Sequence, residues 1–153
     1  MDFSQSKAVH LQQMMPLVVE ALEKGGSVKF QPKGTSMLPM LRQGKDSVVL
    51  SPLPERLKRY DLPLYRRQDG SFVLHRIVEV GDTFTCLGDN QFIPEPGITR
   101  QQLIGIVSGF YRGEKYYAVS QWRYRVYCCL WYRTRHLRRI WRRGISWLRR
   151  HRQ

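Results

Sequence analysis

The sequence predicts a mainly β fold: a small, coiled, largely antiparallel sheet or partly open barrel, with a helix at each end. Three observations carry this reading. Between residues 27 and 119, short β-type segments are broken every few positions by Gly, Pro or Asp. On either side, in residues 1–26 and 120–153, apolar side chains recur at spacings of three and four. No strand–helix–strand rhythm, internal repeat or phosphate-cradling glycine loop is present. Residues 1–26 are therefore read as an N-terminal helix, 27–119 as the β domain and 120–153 as a basic, aromatic helical tail.

The first helix spans Ser6 to Lys24. Leu11, Met14, Met15, Val18 and Leu22 form its apolar face, which covers one side of a sheet, and Gly25-Gly26 stops it. Pro16 either kinks this helix or sits in its first turn. Strands follow at Ser27–Gln31, Asp46–Leu50, Leu62–Arg67, Ser71–Val80, Thr83–Leu87, Gln102–Tyr111 and Lys115–Val119, with turns at Gln68-Asp69-Gly70 and Gly81-Asp82. From Trp122 the pattern is helical again. Val126, Leu130, Leu137, Trp141 and Leu148 fall on one stripe, with Ile140, Ile145 and Trp147 alongside; arginines populate the other positions, and Gly144 marks a break.

The 153 residues are 42% hydrophobic and 25% charged, the balance of a globular chain rather than a disordered one. That length makes one domain, or one domain plus a tail. The longest apolar run, Val126 to Tyr132, has seven residues, far short of the ~18 that a membrane span requires. The N-terminus lacks the pattern of a signal peptide.

Charge is lopsided. Residues 1–114 carry 14 Lys/Arg against 12 Asp/Glu, whereas residues 115–153 carry 12 Lys/Arg and no acid, so most of the net +14 lies in the last quarter. Such a tail is solvated or meets an anionic partner. The three cysteines, Cys86 and the adjacent Cys128-Cys129, make no disulfide framework and point to a reducing compartment. The four histidines, His10, His75, His136 and His151, are scattered without ligand spacing, so neither a metal nor a cofactor is expected.

Ser36 stands out for its setting, Pro32-Lys33-Gly34-Thr35-Ser36-Met37-Leu38-Pro39, between a strand and a short helix-like turn. Gly34 permits a tight turn and leaves room for a substrate carbonyl. The Ser36 backbone N–H is free there to stabilise an oxyanion. A serine after glycine is more often a helix cap, and a nucleophile needs a base. The β domain holds one histidine, His75, in Phe72-Val73-Leu74-His75-Arg76-Ile77-Val78. Alternation places it on one face with Val73 and Ile77, among apolar neighbours that favour the neutral, proton-accepting ring. Two carboxylates are candidates to orient it: Asp89 in Gly88-Asp89-Asn90, and Glu95 in Pro94-Glu95-Pro96.

Gly34-Thr35-Ser36-Met37-Leu38-Pro39-Met40-Leu41 resembles the nucleophile box of type I signal peptidases. Val73-Leu74-His75-Arg76-Ile77-Val78 is similar to the base-bearing strand of their endoplasmic-reticulum-type branch, where histidine replaces the bacterial lysine, and Gly88-Asp89-Asn90 to their late box. The three boxes occur in the family's order across Phe30 to Val107. The wider superfamily includes the LexA-type self-cleaving repressors, which share the coiled β fold. The resemblance implies Ser36 as nucleophile, His75 as general base and Asp89 as a supporting residue. Glu95 stands at the position of the family's base-orienting acid, and Gly34 and Ser36 at its oxyanion site. The chain departs from the pattern in five places: the base-orienting acid is the longer Glu95 between two prolines, Gly34 stands where relatives often place a hydroxyl residue that helps the oxyanion hole, Tyr60-Asp61 replaces Gly-Asp, Pro63 interrupts a strand, and the N-terminal membrane anchor is absent.

The expected activity is that of a serine endopeptidase acting on a peptide or protein substrate, in the cytoplasm or peripherally at the inner face of the cell membrane. The basic tail, with Trp131, Trp141 and Trp147 among arginines, suits an anionic membrane surface. Nucleic acid ranks behind it, and a third reading has Trp122, Tyr127 and Trp131 packed on the β domain. The alternative from another class is a catalytically inactive binding or regulatory module at the membrane surface that keeps the fold.

Overall fold

A computed structural model of the chain describes residues 3–141, with side chains placed from residue 13 onward. Expectations for Leu11, Gly144, Ile145, Trp147 and Leu148 therefore fall on groups outside that description. Helix α1 (Phe3–Glu23) runs through Pro16 and buries Met15, Val18 and Leu22, while Met14 points to solvent. It ends in a Schellman motif: the Gly26 N–H donates to Ala21 O and the Gly25 N–H to Leu22 O, with Gly25 at φ +77°.

Nine strands follow: β1 (Val28–Phe30), β2 (Asp46–Ser51), β3 (Pro63–Arg66), β4 (Phe72–Leu74), β5 (Arg76–Val80), β6 (Phe84–Leu87), β7 (Glu95–Ile98), β8 (Leu103–Arg112) and β9 (Lys115–Ala118). Among the described residues they form two antiparallel sheets and no closed barrel. The larger sheet has the order β1-β2-β8-β3-β4, with β9 also on β8; the smaller is β5-β6-β7. The ten-residue β8 is the spine of the larger sheet, since β2 pairs along one edge while β3 and β9 share the other. Helix α2 (Trp122–Arg133) closes the fold, and helical backbone resumes at 135–141 after one turn residue, Thr134.

Three strand expectations need correction. The predicted strand Ser71–Val80 is two strands, β4 in the larger sheet and β5 in the smaller, divided at His75. Pro63 does not interrupt a strand; it opens β3, with the Leu62 carbonyl accepting from the Val107 N–H. Strand β7 lies where a loop was expected, because Pro94, Pro96 and Gly97 hide the pattern. As an edge strand paired only to β6, it tolerates a proline.

The crossing at His75 divides the core. Leu74 joins α1, Leu50, Leu64, Val107 and Phe110 in one cluster, whereas Ile77 joins Tyr65, Phe84, Cys86 and Ile98 in the other. The alternation across residues 72–77 thus becomes two separate cores, with His75 at the joint.

Candidate active site

Ser36 lies in a run of turns between β1 and β2, not in a helix. Its loop is anchored from several sides. The Asn90 N–H donates to Ser36 O at 2.8 Å and Asn90 Nδ2 to Thr35 O at 3.1 Å. Arg112 donates to the Met40 carbonyl at 2.9 Å, and Arg42 grips the buried carboxylate of Asp46 at the loop's end. Glycine at 88 is required by space: a Cβ there would lie 2.7 Å from Ser36 O. The Gly88-Asp89-Asn90 turn is therefore the cradle of the serine loop.

Ser36 and His75 line the same open cavity, of about 230 Å³, with Met37, Leu41, Phe72 and Arg67 on its walls. Among the described residues no hydrogen bond joins the two side chains. Ser36 is half-buried and His75 is 3% exposed. Burial, reinforced by the charge of Arg67, lowers the His75 pKa to about 4, so the ring is neutral near pH 7.

The other side of the imidazole is held by a residue that sequence reasoning missed. The fully buried Tyr65 hydroxyl donates to Glu95 Oε2 at 2.7 Å, which leaves its oxygen to accept from His75 Nδ1, 3.2 Å away. This line assigns the proton to Nδ1 and the free lone pair to Nε2. Glu95 itself stands 3.9 Å from Nδ1, so it reaches the ring through Tyr65. Arg67 pairs with both Glu95 oxygens, at 2.7 and 2.6 Å, and that bond holds the carboxyl below its ordinary range. Burial and the bond to Glu95 push the Tyr65 phenol well upward.

Asp89 is not at the imidazole, which corrects one of the two acid assignments. Both its oxygens take hydrogen bonds from Arg76, at 2.8 Å each, in a pair buried on both sides. Arg76 also reaches the carbonyl of Tyr60, the hydroxyl of Tyr124 and the sulfurs of Cys128 and Met40. Trp131 Nε1 adds a bond to the Asp89 carbonyl at 2.8 Å. This hub ties α2, the late turn and the strand that begins one residue after His75. A charge among apolar strand residues, as in His75-Arg76-Ile77, was the available signal, since a buried guanidinium demands a partner.

Gly34 is also corrected as an oxyanion donor: its N–H is taken by Gln43 Oε1 at 3.1 Å. Its φ of +85° shows that it serves as the turn. Tyr60 holds φ +77°, a left-handed backbone that costs a non-glycine residue energy. Its ring packs near Tyr132 of α2. Among the described residues no three His, Cys, Asp or Glu side chains gather as metal ligands, and no helix is long and apolar enough to cross a membrane.

Comparison with protein-family models, with curated proteins and with solved structures gives no match to this chain.

Proposed function

We propose that this protein is a serine endopeptidase of signal-peptidase-like type, with Ser36 as nucleophile and His75 as general base. One observation carries the reading: a hydroxyl and a neutral imidazole line one cavity, while the far nitrogen of that imidazole is tied through Tyr65 to Glu95.

In the reaction, Nε2 of His75 takes the Ser36 Oγ proton as Oγ bonds to the carbonyl carbon of the peptide. The backbone N–H of Ser36, which makes no hydrogen bond among the described residues, faces the developing oxyanion. The imidazolium then gives its proton to the departing amine, and the C–N bond breaks. Water, deprotonated by the same nitrogen, releases the acyl group and restores Ser36. Each imidazolium is steadied by the Tyr65–Glu95 line, and Arg67 keeps Glu95 ionised throughout.

The test is digestion of a peptide library followed by mass spectrometry. Wild type yields cuts at a shared bond type, and Ser36→Ala and His75→Ala yield none. Equal products from wild type and Ser36→Ala would overturn the mechanism. A wild type that cuts nothing, yet holds a stable partner unaffected by Ser36→Ala, would replace the enzyme with a binding module.

A further inference from the structure

Helix α2 has two faces of opposite use. The side turned to the β domain carries Tyr124, Cys128 and Trp131, which bind Arg76 and Asp89. The side turned to solvent carries Trp122, Val126, Leu130, Leu137, Ile140 and Trp141, each between 45% and 70% exposed. The apolar stripe expected from periodicity is thus the outer face, and Trp122 belongs to it rather than to the packed one. The Thr134 N–H donates to Leu130 O at the end of α2, and the Arg138 N–H donates to Thr134 O as helical backbone resumes. At about 100° per residue, Trp122, Val126 and Leu130 fall within an arc of about 80° on α2, and Leu137, Ile140 and Trp141 within about 100° on the helical piece that follows Thr134.

Arg123, Arg125, Arg133 and Arg139 are exposed on the same two helical pieces, and residues 115–141 contain no acid. Residues 1–114 are nearly neutral, so attraction to an anionic surface concentrates in the segment of the chain that carries α2.

We infer that the outer face of α2 and its continuation through residue 141 docks on an anionic lipid bilayer, with the aliphatic and tryptophan side chains in the interface and the arginines on phosphate. Both halves of the pattern are used. Guanidinium stems lie along the apolar surface while their heads reach lipid phosphates. Nucleic acid satisfies the arginines alone and offers no apolar phase for Val126, Leu130, Leu137 and Ile140. The inner contacts carry the β domain with the helix, so docking orients the cavity of Ser36 and His75 relative to the membrane. The inference does not rest on the peptidase reading, because lipid binding requires no chemistry at Ser36.

The experiment is flotation of the full chain with vesicles of phosphatidylcholine alone and of phosphatidylcholine with phosphatidylglycerol. A double variant, Leu130→Glu with Leu137→Glu, alters two exposed positions and is first checked for native circular dichroism. Wild type floats at least tenfold more with the anionic vesicles, and bromine on the acyl chains quenches its tryptophan emission. The variant loses at least tenfold of that flotation with every arginine intact. Equal flotation of variant and wild type would overturn the docking face, as would binding to duplex DNA by both proteins without flotation by either.

Discussion

The hydroxyl of Tyr65 stands 3.2 Å from Nδ1 of His75, in the one place where a phenol both holds the ring and separates it from its acid. Glu95 follows the same hydroxyl at 2.7 Å, so a line runs from the buried imidazole and phenol to a partly exposed carboxylate, with Arg67 at its end. The arrangement lets a carboxylate between two prolines act on a histidine it does not touch.

Replacing Tyr65 by Phe removes the middle of that line. Nδ1 of His75 and one oxygen of Glu95 lose a partner, and an unsatisfied buried group costs roughly 1–3 kcal/mol. Thermal unfolding should show this loss. Peptide hydrolysis should fall by at least about tenfold through kcat, because the imidazole is free to adopt the unproductive tautomer.

The low His75 pKa makes a prediction about pH. With a value of about 4 in the folded protein and 6.5 ordinarily, the folded chain remains unprotonated in a window where the unfolded chain takes a proton. Stability therefore falls as pH drops from 6.5 to 4, by up to about 1.4 kcal/mol per unit, and this contribution changes no further below 4. Denaturant curves of wild type and His75→Gln across that range isolate the effect. The acid limb of kcat/KM should lie near pH 4.

Arg67→Gln should move that limb upward. The guanidinium charge is the second cause of the lowered His75 value, after burial. Its removal eases protonation of the ring, and the shift is measurable by NMR titration with His75 assigned by difference.

Asp89→Ala should destabilise through Arg76 and not through a bond to the imidazole. It strands the wholly buried Arg76 charge, and breaking such a pair costs about 3–5 kcal/mol. Tyr124, Cys128 and Trp131 depend on the same hub, so the near-ultraviolet tryptophan signal should change along with the denaturation midpoint.

Gly88→Ala should separate the serine from its base. The new Cβ meets Ser36 O at 2.7 Å and must push the loop away. The expected outcome is native circular dichroism with peptide hydrolysis lowered at least tenfold; unchanged hydrolysis would remove the late turn from the positioning of Ser36.

The mainly β class, most strand positions and the Gly25-Gly26 helix stop were legible in the chain, because periodicity and turn residues are written in neighbouring positions; that Ser36 and His75 line one cavity is a property of the folded chain. Strand β7 was not: its prolines and glycine suit an edge, and being an edge is a property of the assembled sheet. The choice between Asp89 and Glu95 belonged to the tertiary structure as well. Arg76 claims Asp89 from thirteen residues away, and Tyr65 joins His75 to Glu95 from ten and thirty residues away. Likewise, the spacing in α2 marked an apolar stripe, but only packing decided that Tyr124, Cys128 and Trp131 face inward and leave that stripe to solvent. Local pattern records which side chains share a face; which face is buried, and which distant charge a buried group must answer, is set when the two sheets cross at His75.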